Sequence, residues 1–96
     1  MSIVIIGGHD RMHCRYKSIC KNYGCKCKVF TQCPGNLKGQ IGCPDLVILF
    51  TNTVAHKMVS VAAEQAAKSN AKIARCHSSS ASALKDILEN YFAEAN

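Results

Sequence analysis

Two stretches of this chain are apolar at every position. Ile3-Val4-Ile5-Ile6 closes on Gly7-Gly8, and Leu46-Val47-Ile48-Leu49-Phe50 runs into Thr51-Asn52-Thr53. A strand without polar alternation is covered on both faces, as in a parallel α/β sheet. Both runs therefore predict central strands. Residues 25–30 instead alternate, with Cys25, Cys27 and Val29 on one side and Lys26, Lys28 and Phe30 on the other. That pattern predicts an edge strand guarded by lysine. Residues 71–76 predict a short fourth strand.

Between the strands the period lengthens to that of a helix. Met12, Tyr16, Ile19, Cys20 and Tyr23 form one stripe, opened by His9-Asp10 and stopped at Gly24. Val54, Met58, Val61, Ala62 and Gln65 form a second, started by Thr51, Asn52 and Thr53 and ending near Ser69-Asn70. Ser78-Ser79-Ser80 caps a last helix whose inward stripe is Leu84, Ile87, Leu88 and Tyr91. Residues 32–44 are rich in glycine and proline and leave room for one short helical turn around residues 36–40.

The element order is β-α-β-loop-β-α-β-α. Right-handed crossovers then give a single small α/β domain over residues 1–96. It is a flavodoxin-like, Rossmann-like three-layer domain with a four-stranded parallel sheet in the order 2-1-3-4. Ligands of such sheets bind outside the carboxyl ends of the strands, here in the crevice between strands 1 and 3. The loop at residues 32–44 offers no full crossover helix. One sheet face is thus expected to lack cover, which predicts a homodimer.

Composition adds an asymmetry. Of a net charge of +6, all lies in residues 1–44, where Arg11, Arg15, Lys17, Lys21, Lys26, Lys28 and Lys38 face one acid, Asp10. A solvated helix face with a guarded edge explains this, and so does an anionic partner or a nucleic acid. The opening apolar run is too short for a signal peptide and no run is long enough to cross a bilayer, so a cytoplasmic protein is expected. Seven cysteines, an odd number without a secretory signal, argue for thiols, metal ligands or redox chemistry over a disulfide framework.

The candidate chemistry gathers at one edge of the sheet. His9, His13, His56 and His77 all fall in strand-to-helix turns or first helical turns. A neutral imidazole there binds haem iron or another transition metal, or moves a proton. His56 is expected to contribute most, because its turn leaves a fully buried strand and its backbone is best fixed. Asn52, Arg11 and Arg75 are candidates to hold an anionic group, and Ser78 opens a helix whose amino end favours one. Cys33 and Cys43 each precede a proline, and such a pair is either an ordinary turn or a thiolate ligand. No nucleophilic triad, paired carboxylate, G-x-G-x-x-G or P-loop is present, so no catalytic constellation is identified.

Gly7-Gly8-His9, the Asp45-Leu46-Val47 strand leading to Asn52 and His56, and Arg75 before Ser78-Ser79 resemble family 2325 of bacterial domains of unknown function. The resemblance covers nearly the whole chain. Thr53 and Ala55 stand where relatives often carry a cysteine and a serine. The resemblance implies haem as a cofactor, held through histidine for a sensing, gas-binding or redox role. A phosphorylated or other anionic metabolite in the same crevice is the alternative, and nucleic-acid association through the basic half is a third.

Overall fold

The computed structural model describes residues 2–31, 36–51 and 56–95, with backbone alone at Lys38, His56, Glu94 and Ala95. Eight main elements follow in order: β1 (Ser2–Ile6), α1 (His13–Asn22), β2 (Lys26–Phe30), α2 (Leu37–Ile41), β3 (Leu46–Phe50), α3 (His56–Ser69), β4 (Lys72–Cys76) and α4 (Ala81–Ala95). The four strands form one sheet in the order β2-β1-β3-β4, parallel at every pairing. This is the arrangement the apolar pattern predicts.

The uninterrupted runs are central for the reason they are uninterrupted. No side chain of residues 3–6 or 46–50 is more than 2% exposed. Ile3, Ile5, Leu46, Ile48 and Phe50 meet Tyr16, Ile19 and Cys20 of α1 and Leu84 and Leu88 of α4. On the opposite face Val4, Ile6, Val47 and Leu49 meet Leu37 and Ile41 of α2 and Met58, Ala62 and Ala66 of α3. Each fully buried aliphatic or aromatic side chain contributes about 1.5–3 kcal/mol.

The expected bare face is not found among the described residues. Although α2 has only five residues, Leu37 and Ile41 lie four apart and both point at the sheet. The alanines of α3 let that helix lie close beside it. Ile73, 37% exposed on β4, is the one large hydrophobic residue left in solvent among those described.

The first helix starts later than its stripe suggests. Asp10–Met12 is a 3₁₀ turn, and His9 precedes it in extended conformation (φ −106°, ψ 143°). Asp10 stands in the first turn, and its carboxylate accepts a hydrogen bond from the Thr31 hydroxyl at the exit of β2. His9 and His13 consequently do not share a helical face.

At the other end of α1 the chain turns through a Schellman motif. Gly24 is left-handed (φ 72°). Its N–H donates to the Lys21 carbonyl (2.9 Å), and the Cys25 N–H donates to that of Cys20 (3.0 Å). The last helix is capped as expected, with the Ala83 N–H donating to the Ser80 hydroxyl at 3.2 Å.

Candidate functional site

The carboxyl edge of the sheet is cross-tied loop to loop. The Gly7 N–H donates to the Phe30 carbonyl and the Thr51 N–H to that of Cys76, both at 2.9 Å. Tyr16, fully buried, donates its hydroxyl to the Ser79 carbonyl at 2.5 Å. Burial pushes the phenol upward, against the opposing pull of hydrogen bonds at His9 and Ser79, so it stays protonated and a donor. Gly8 lies under the Tyr16 ring with φ +87°, a conformation that side chains rarely adopt. Residues of α1, the first turn and the β4–α4 turn are therefore fixed to one another.

The predicted site residues distribute unevenly over this edge. His9 and Arg11 are exposed on the first turn, and His77 is exposed after β4. Arg75 is exposed on β4, opposite Leu49 in register, and so stands on an outer strand away from the β1–β3 junction. The Ser78 hydroxyl lies 3.2 Å from that of Ser80 and accepts from the Ser80 N–H at 3.4 Å, so it serves the α4 cap. Asn52, Cys33 and the side chain of His56 lie outside the described residues, and Cys43 is exposed. His9, Arg11, Arg75 and His77 line neither the cleft beside β2 nor the one at the amino end of β1 and β2.

His13 is different. It is half-buried at the first position of α1 and lines a cleft of about 320 Å³ with Lys17, Lys28, Val29, Phe30, Gly39 and Gln40. His13 and Lys17 are four apart on α1 and so project from one side of that helix. Lys28 comes from the edge strand, and its ammonium group donates to the Gln40 carbonyl of α2 at 3.1 Å. The cleft thus wraps the carboxyl half of β2, with an imidazole and two ammonium groups around two apolar side chains. Lys28, which reads as an edge guard, also lines the wall of this cleft. The i, i+4 pair His13/Lys17 was the available sequence signal; the return of α2 to the same edge was not visible in the pattern.

A second cleft of about 270 Å³ lies toward the amino end of β1 and β2, lined by Ser2, Lys26, Cys27, Ile41, Cys43 and Pro44 among others. It holds no histidine. Among the described residues no group of three or more His, Cys, Asp or Glu is placed to hold a metal ion.

A model of one bacterial family matches residues 2–91, nearly the whole chain and both strand-to-helix turns named above. The chain belongs to DUF2325. That family is described as uncharacterised proteins conserved in bacteria. Comparison of this DUF2325 chain with curated proteins and with solved structures found no match. Among its described residues no helix is long and apolar enough to cross a membrane.

Proposed function

We propose that this DUF2325 protein is a cofactor-binding module whose cleft beside β2 takes haem, which His13 would hold through its imidazole and Lys17 and Lys28 through its carboxylates. The observation that carries the reading is the composition of the cleft: one half-buried imidazole, two ammonium groups and the apolar Val29 and Phe30. Haem iron takes an imidazole ligand, its ring takes apolar contact and its two carboxylates take cations, so the residues present fit the group. Bound there, haem would supply a redox-active, gas-binding iron. The chain's own part would be to hold it: His13 at the iron, and Lys28, fixed by Gln40, at a carboxylate. The same lysines also suit a smaller phosphorylated or carboxylated metabolite, the second reading.

The test is a haemin titration followed by its Soret band, run on wild type and on His9→Ala, His13→Ala, His56→Ala and His77→Ala. His13→Ala is expected to weaken uptake at least tenfold, about 1.4 kcal/mol. If His56→Ala loses haem while His13→Ala retains it, the site belongs at the carboxyl-edge crevice instead. An unchanged Soret band in wild type, together with phosphate protection of Lys17 and Lys28 from acylation, replaces haem with the anionic metabolite. The expected homodimer no longer has a bare face to rest on, and as a proposal it now rests on the open edge of β4, where Ile73 is exposed.

A further inference from the structure

Three of the seven cysteines converge for a reason written in the α1–β2 turn. The Schellman motif folds the Cys25 backbone onto the Cys20 carbonyl, so residue 25 returns beside residue 20. Gly24 makes that return possible with its positive φ. Two residues further along β2, the strand period puts Cys27 on the same face as Cys25. All three sulfur-bearing side chains then belong to the hydrophobic cluster between the sheet, α1 and α4. Cys20 and Cys25 are buried, whereas Cys27 on the edge strand is half-buried.

We infer that Cys20 and Cys27 form an oxidation site, in which a hydroperoxide converts the two thiols into an intramolecular disulfide. Cys27 is the attacking sulfur and Cys20 the resolving one.

Access assigns the first role. Cys27 is the member of the pair that reaches solvent, along the outer edge of the sheet. Charge agrees with access. The Cys20 thiol hydrogen bonds to the Cys27 sulfur, which lowers the Cys27 pKa, and the Lys17 ammonium lowers it further against the opposing effects of burial and of Cys25. The same hydrogen bond raises Cys20, with burial adding to it, so of the two Cys20 holds its proton more firmly. The half-buried sulfur is thus the more readily ionised of the two, with a less acidic thiol behind it, which is the order that oxidation requires.

The steps balance. The Cys27 thiolate attacks one oxygen of the hydroperoxide; the O–O bond breaks, Cys27 becomes a sulfenic acid, and hydroxide or alkoxide leaves. Cys20 then attacks the Cys27 sulfur, the S–O bond breaks, and water leaves with the Cys20 proton. Two thiols have been oxidised by two electrons and one hydroperoxide reduced. Cys20 and Cys27 pack in one cluster at a single turn, so the approach to the ~2.05 Å of a disulfide is a local one. As small core hydrophobes alone, these cysteines would satisfy the packing, but packing does not call for one of the three to stand half-buried at the open edge of the sheet.

The chain is convenient for the test, because trypsin separates all three cysteines. Cleavage after Lys17, Lys21, Lys26 and Lys28 leaves Cys20 in residues 18–21, Cys25 in residues 22–26 and Cys27 in residues 27–28. Reduced protein is treated with a small excess of hydrogen peroxide, alkylated, digested without reductant and mapped by mass spectrometry. The expected product links residues 18–21 to residues 27–28 within one chain. Cys25→Ser should keep that link. Cys20→Ser should lose it and leave a sulfenic acid on Cys27 that dimedone captures. A bridge that uses Cys25, a bridge between chains, or oxidation of the exposed Cys14 and Cys43 while Cys20 and Cys27 stay reduced in wild type, overturns the inference.

Discussion

Replacing Gly8 with alanine puts a methyl group where the ring of Tyr16 already sits. A Cβ at that position would lie 2.6 Å from Tyr16 Cε2, 2.7 Å from its hydroxyl oxygen and 3.0 Å from Cζ. Two costs separate cleanly. The backbone at φ +87° disfavours any side chain, which costs about 1–2 kcal/mol for an L-residue. The overlap adds about 1–3 kcal/mol, because the ring is fully buried and held by Ser79. Gly8→Ala should therefore lose about 2–5 kcal/mol in urea unfolding, out of roughly 5–15 kcal/mol for a domain of this kind. Tyr16→Leu removes all three clashing atoms. In that background Gly8→Ala should cost only the backbone part, leaving a coupling of about 1–3 kcal/mol in the double-mutant cycle. Tyr16→Phe deletes only the hydroxyl and should relieve little. Strict additivity of Gly8→Ala and Tyr16→Leu would refute the steric account.

Burial on both faces of β3 predicts that Ile48→Ala and Leu49→Ala each lose about 2–5 kcal/mol, although their side chains point to opposite helices. A loss below about 1 kcal/mol at either position in denaturant melts would mean that face is not packed. Haemin titration is expected to single out His13 among the four histidines, and peptide mapping after peroxide is expected to join Cys20 to Cys27. A dimer through the β4 edge should be lost in Ile73→Lys by light scattering, and a monomeric wild type at all practical concentrations would remove that proposal.

The sheet was legible because its pattern follows from burial alone. Residues 46–50 carry no polar side chain and lie buried on both sides, and the alternation of cysteine and lysine marks β2 as an edge. What the pattern hid were contacts between elements distant in sequence. Leu37 and Ile41 gave too short a stripe to announce that α2 covers a face, so a bare surface was expected where none is found among the described residues. The Thr31–Asp10 bond spans 21 positions and leaves no local trace. Histidines at strand-to-helix turns were correctly placed along the chain, and His13 lines the cleft beside β2 because α2 arrives to complete it. Loop position fixes where a side chain starts, and the neighbouring helix decides whether it meets a ligand or water.

The parallel topology also orders assembly. β1 pairs with β2 across 24 positions, Ser2 to Lys26, and β3 with β4 across 26, Leu46 to Lys72. Joining β1 to β3 spans 43 positions, Ile3 to Leu46. Closing that longer loop costs about 0.5 kcal/mol more than closing either shorter one, and none of its contacts helps until it is closed. The molecule is thus two strand-helix-strand halves zipped along a central seam. Amide protons on the β1–β3 ladder sit where the halves meet, so exchange there requires the halves to part, while the outer ladders can open within one half. The amides of the seam, buried on both faces, are the last to exchange.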